Sequence, residues 1–249
     1  MHDTTVDSER AMPGASGVRS RQYLALALLA AVMIAIGFWP SYFGVFLTGT
    51  PDVSALIHVH AAVYVGWLVL FIVQVALAAT GRIALHMRLG NWLMAYGLLL
   101  VVAGLMASWD GFGIRFESDG ARRAEQWVFG ALRDLVFFVP FLVTGWLYRR
   151  RPEVHKRLMI VATTVLLVPA IGRMGFLGRP PPLWAFMAVW PLPVYVAMLH
   201  DFRTRRLVHP VYVIGVAAML AHRVVLPLRD TDAWHALAAQ ISALYSALR

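Results

Sequence analysis

Long apolar runs separated by short polar interruptions set the character of this chain. Seven runs, each about 20 residues, match the length an α-helix needs to cross a ~30 Å hydrocarbon core. They are Tyr23–Pro40, Leu56–Ala79, Asn91–Trp109, Trp127–Tyr148, Arg157–Phe176, Leu183–His200 and Val211–Leu228. They are continuously apolar and about twice the ~10 residues of a barrel strand, so they predict helices. Beyond them Trp234, Leu237, Ile241, Leu244 and Leu248 recur every three or four residues, with His235, Gln240, Ser242 and Ser246 on the other side. This predicts an amphipathic helix capped by Thr231 or Asp232, lying on the membrane surface or packed on the bundle or on a partner membrane protein. The expected fold is an all-α polytopic membrane bundle: a disordered cytoplasmic tail (1–22), seven transmembrane helices (23–228) and an outer-face amphipathic helix (229–249).

The interruptions carry their own expectations. Arg19 and Arg21 before an apolar run resemble a secretory signal, but Gly37-Phe38-Trp39-Pro40 puts bulky residues where a small-x-small cleavage site belongs, so the run reads as a retained anchor. The polar stretch Asp110–Gln126 reads as a solvated lid or short helix. Gly178-Arg179-Pro180-Pro181-Pro182 reads as a stiff turn, since proline cannot continue a helix.

Composition agrees with the pattern. Of 249 residues, 60% are hydrophobic and 14% charged, where a soluble domain carries about 25%. Together with the mean hydropathy of +0.67 this excludes disordered, fibrous and ordinary soluble enzymes. Lys+Arg number 22 against 13 Asp+Glu, a formal +9. In a bilayer this excess reads as orientation, not nucleic-acid binding. Arg10, Arg19, Arg21, Arg82, Arg88, Arg149–Arg151, Lys156, Arg157, Arg203, Arg205 and Arg206 fall on one side. Fewer fall on the other: Arg115, Arg122, Arg123, Arg179, Arg229 and Arg249. The positive-inside rule then predicts an N-in, C-out protein of the bacterial inner membrane. The absence of cysteine excludes disulfides, thiol redox chemistry and Cys-ligated metal or iron–sulfur sites.

Candidate chemistry lies in the polar residues inside the spans, because a charge at the bilayer centre usually has a partner or a task. These are His58 and His60, Arg133 and Asp134, Arg173, and His222 and Arg223. Counted from the ends of the predicted helices, all fall in the outer half, which predicts one polar cavity open to the outside. Residues two apart point about 200° apart on a helix, so His58 and His60 cannot share a face. His60 continues as Tyr64, Trp67, Phe71 and Gln74 and reads as the inward residue. Arg133, Arg173 and Arg223 outnumber Asp134, an excess that suits a carboxylate, including a haem propionate. The alternative is a buried ion pair that only fixes packing. A second histidine set, His86, His155, His200 and His209, lies on the inner side beside basic residues, as interfacial anchors or as metal or haem ligands paired across helices. There is no mid-helix lysine for a retinal Schiff base, no histidine-rich di-iron box, no P-loop and no His-Glu-x-x-His.

Three segments carry a resemblance: His58-Val59-His60, Thr80-Gly81-Arg82 through His86-Met87-Arg88-Leu89-Gly90, and Arg151-Pro152-Glu153-Val154-His155-Lys156-Arg157-Leu158-Met159. Together they resemble a widespread family of uncharacterised bacterial multi-pass membrane proteins. The His155–Met159 part of the last is also similar to small membrane proteins linked to haem–copper oxidase assembly. The resemblance implies a helical bundle and points toward haem or respiratory membranes; it carries over no catalytic residue.

The leading expectation is a haem- or metal-binding redox membrane protein, with His60 and His222 ligating haem b and Arg133, Arg173 and Arg223 near its propionates. A metal set would draw on His58, His60, Asp134 and His222. The alternatives are an anion-binding permease or receptor, a metal-dependent enzyme acting on a lipid or isoprenoid, and a non-catalytic subunit or assembly factor using its C-terminal helix.

Overall fold

A computed structural model describes residues 14–175 and 181–248, with side chains from residue 21 onward. All regular structure among these residues is helical: α1 (Gly14–Phe38), α2 (Ala55–Ala79), α3 (Ile83–Ser118), α4 (Ala121–Leu147), α5 (Pro152–Val165), α6 (Val168–Arg173), α7 (Leu183–Val189), α8 (Leu192–Arg205), α9 (Pro210–Val224) and α10 (Asp232–Ala247). Six stretches are long and apolar enough to cross a membrane, or seven if the bent pair α7–α8 is one span. The chain is a multi-pass helical membrane bundle. We call the end that holds the C terminus of α1 the upper end; it is the one predicted to face outward.

Helix boundaries depart from the apolar runs where a polar helix can still pack. The first helix starts at Gly14, so residues 14–22 belong to it and not to a tail. Past Phe38 the chain stays helical through Pro40 as a π turn, Trp39–Phe43, and a 3₁₀ turn, Gly44–Leu47. Proline is accepted there because it stands in the first turn of a new segment, where no N–H partner is required. Helix α3 runs for 36 residues, ~54 Å at 1.5 Å per residue, well beyond a hydrocarbon core. The stretch expected as a lid is the last turns of α3 and the first of α4. Only Asp119 and Gly120 separate them, the glycine turning at φ 86°, where a side chain is disfavoured.

The reason α3 continues is α10. Trp109, Phe112 and Phe116 recur on one side of α3 and meet the Tyr245 ring at 5.6, 5.3 and 5.6 Å. Trp234 stands edge-on to Phe129 at 5.0 Å, and Tyr245 Oη donates to Glu117 at 3.0 Å. Thr231 caps α10, accepting from the Trp234 N–H at 3.4 Å. The C-terminal helix therefore packs on the bundle through Trp234, Ala238, Ile241 and Tyr245, while Leu237, Leu244 and Leu248 stay exposed.

Two spans are broken at proline. Between α5 and α6 the Thr164 carbonyl accepts the Leu167 N–H at 3.1 Å and the Trp190 indole N–H at 2.8 Å, just ahead of Pro169. Helices α7 and α8 bend by 55° at Trp190-Pro191. Pro191 has no N–H for the Met187 carbonyl, and the Tyr195 hydroxyl donates to it instead at 3.2 Å. The predicted sixth span, Leu183–His200, is this bent pair; the predicted turn residues Gly178–Pro180 lie outside the described residues. The α5–α6 unit is the hub of the bundle. In its most apolar stretch 67% of residues are buried, against 22–28% for the other five spans, and it packs against α1, α4, α8 and α9.

Candidate functional site

Asp134 sits at the midpoint of α4, deeper than its predicted place because α4 begins at Ala121, not Trp127. From α9, His222 reaches it: Nε2 lies 2.7 Å from Oδ1. A carboxylate oxygen only accepts, so Nε2 carries the proton, and in the neutral ring Nδ1 holds the lone pair. The neighbouring Arg133 folds back onto the same oxygen, Nη2 at 3.1 Å and Nε at 3.4 Å. The His222 ring is fully buried, at 4.9 Å from the Trp190 ring and 5.2 Å from Phe137. Next to it, Arg223 lays its guanidinium 4.4 Å over Phe186, a cation–π contact.

The structure thus brings together four of the predicted residues: Arg133, Asp134, His222 and Arg223. Their charges do not balance. Two guanidiniums stand against one carboxylate and a neutral imidazole. Their hydrogen-bonding capacity is not used up either: Arg133 Nη1, His222 Nδ1 and Arg223 Nε are all buried without a partner. Such groups in a low-dielectric interior are costly unless a ligand satisfies them.

The other three predicted residues sit elsewhere. The His60 ring stacks on Tyr64 at 4.2 Å and donates from Nδ1 to the Ala103 carbonyl at 3.2 Å. His58 shares a 2.8 Å hydrogen bond with the Tyr42 hydroxyl. Arg173, closing α6, donates to the Pro169 carbonyl at 2.9 Å and covers Phe38 at 4.6 Å. Thus His60 and His222, expected as a facing haem pair, have separate partners, and the His222 Nε2 is committed to Asp134. The expected metal set of His58, His60, Asp134 and His222 is split: Asp134 and His222 bond each other, while His58 and His60 bond elsewhere. Among the described residues no three His, Asp or Glu side chains gather around one point.

At the lower end a second network joins charges that lie at the ends of apolar runs. Arg157 forms a bidentate pair with Asp201, with contacts of 2.8, 2.9 and 3.1 Å, and both side chains are buried at 1% and 5% exposure. Glu153 ties Arg157, Arg205 and Lys156 together at 2.8, 2.7 and 2.5 Å. The available signal was an acid and a base of opposite sign, each at the same predicted end of its helix. His209 caps α9 by accepting the Val211 N–H at Nδ1, 3.3 Å. Its partial burial and the Arg157 charge lower its pKa, which favours the neutral accepting ring.

The chain matches no protein family, no curated protein and no solved structure. Its function is therefore read from geometry alone.

Proposed function

We propose that this membrane protein binds a small organic carboxylate in its upper half, as a permease or receptor. The observation that carries this reading is the buried excess of positive charge around Asp134, with unpartnered donors on Arg133 and Arg223. A monoanion would balance the two guanidiniums, and a guanidinium's forked donors suit a carboxylate. Asp134 fixes the tautomer and orientation of His222 and keeps the two cations from an uncompensated burial. The His222 Nδ1 lone pair gives the site a proton acceptor, so a bound acid and its conjugate base would be told apart.

The test is a series of linear monocarboxylates, from acetate to octanoate, titrated against purified protein in nanodiscs. Binding is expected for carboxylates and not for the matching primary amides. Losing a charged hydrogen bond costs ~1.5–3 kcal/mol, so Arg133→Gln is expected to weaken binding by about tenfold or more while the helical content stays unchanged. Equal binding by folded Arg133→Gln and Arg223→Gln variants would make the arginines structural and end the proposal.

A further inference from the structure

The carboxylate site leaves the lower-end histidines unused, and two of them are arranged in a way that packing does not require. His86 on α3 and His155 on α5 face each other with ring centres 6.3 Å apart and planes at 77°. Each Nδ1 donates to a backbone carbonyl of a different helix: His86 to Gln74 at 3.1 Å and His155 to Gly145 at 2.8 Å. A carbonyl only accepts, so both protons are fixed on Nδ1, and in both neutral rings the lone pair is on Nε2. A metal-bound histidine usually has its far nitrogen held in this way by a backbone carbonyl. No described side chain bonds either Nε2. A metal ~2 Å from each nitrogen would set the two ring centres ~6 Å apart, close to the spacing found.

A second observation falls in the same layer. Gln74, the residue whose carbonyl holds His86, is 7% exposed, and both ends of its side-chain amide are buried without a partner. The amide nitrogen lies against Gly90, 3.5 Å from the place of an added Cβ. Gly90 is one turn after His86 on the same face of α3. The amide is thus an unspent polar group beside the histidine pair.

We propose that His86 and His155 form a two-coordinate site for a monovalent, soft transition-metal ion, Cu(I). Ligand number and charge make the choice. Zinc sites take three or four protein ligands and calcium or magnesium takes oxygens, and among the described residues no third ionisable ligand joins the pair. Cu(I) accepts two neutral imidazoles in a line. The flanks are basic (Arg82, Arg88, Arg149–Arg151 and Lys156), which disfavours a dication more than a monocation. Haem would also take two histidines, and a Soret band tells it from copper.

The test uses full-length protein in detergent, loaded with Cu(I) under ascorbate and competed with a chromogenic Cu(I) chelator. The expected result is one copper per chain, with X-ray absorption reporting nitrogen donors at ~2 Å. His86→Ala and His155→Ala are each expected to lose about tenfold or more in affinity, and His58→Ala to lose none. If the alanine variants fail to fold, the wild-type protein serves: Ag(I) should protect His86 and His155 from diethylpyrocarbonate, read by mass spectrometry. Copper binding unchanged in both folded variants, no protection by Ag(I), or a Soret band that both variants abolish would each overturn the proposal.

Discussion

At the scale of single residues, burial separates pairs that hold the bundle from pairs that do chemistry. Arg157 and Asp201 satisfy each other through a bidentate contact, with Glu153 taking a further guanidinium N–H. Removing one partner of such a buried pair leaves an uncompensated charge. Asp201→Asn is expected to destabilise the protein by ~3–5 kcal/mol, measured by reversible unfolding in mixed micelles. The double change Arg157→Met with Asp201→Leu should recover most of that loss, because no charge is left behind. The Arg133–Asp134–His222 group behaves otherwise, since its nitrogens are not all satisfied. Its members, Arg223 included, are among the seven residues that the sequence singles out, because charges inside an apolar run need partners; the same argument singles out Arg173, which bonds the Pro169 carbonyl instead. The Arg157–Asp201 pair was not legible, because a basic residue at the end of an apolar run looks the same whether it faces water or a carboxylate.

At the scale of elements, close backbone approach and proline decide the shapes. A Cβ on Gly37 would clash with the backbone of Ala170, so α1 and α6 touch through the glycine. Gly37→Ala is expected to force them apart at a cost of ~1–3 kcal/mol, seen as a lower Tm. At the α7–α8 bend the Tyr195 hydroxyl replaces the N–H that Pro191 lacks. Tyr195→Phe should cost ~1 kcal/mol in the natural chain and nothing in a Pro191→Ala background, where the new N–H takes the Met187 carbonyl. A double-mutant cycle by thermal denaturation checks this. The apolar runs located the helices, because bilayer crossing demands length and apolarity together. They did not locate the ends of α3 and α4, which continue as amphipathic helices once α10 covers Phe112 and Val128. Nor does run length report a break, since a bent pair and a straight helix share one composition.

At the scale of the whole molecule, the upper and lower ends should lie on opposite sides of a membrane. The chain has no cysteine, so one can be introduced on a silent background. Ser118→Cys and Arg150→Cys, both exposed and at opposite ends of α4's flanking turns, are expected to react with a membrane-impermeant maleimide from opposite faces of sealed vesicles. Labelling from the same face would refute the bundle's topology. Within that frame Trp190 occupies a singular place. Its indole N–H is fastened to the Thr164 carbonyl at the α5–α6 break, its backbone forms the α7–α8 bend, and its ring rests on His222. One side chain thereby ties the α5–α6 break to the α7–α8 bend, and both to His222. A ligand that repositions His222 is then expected to disturb the Trp190 ring, read as a change in indole fluorescence that Trp190→Phe removes.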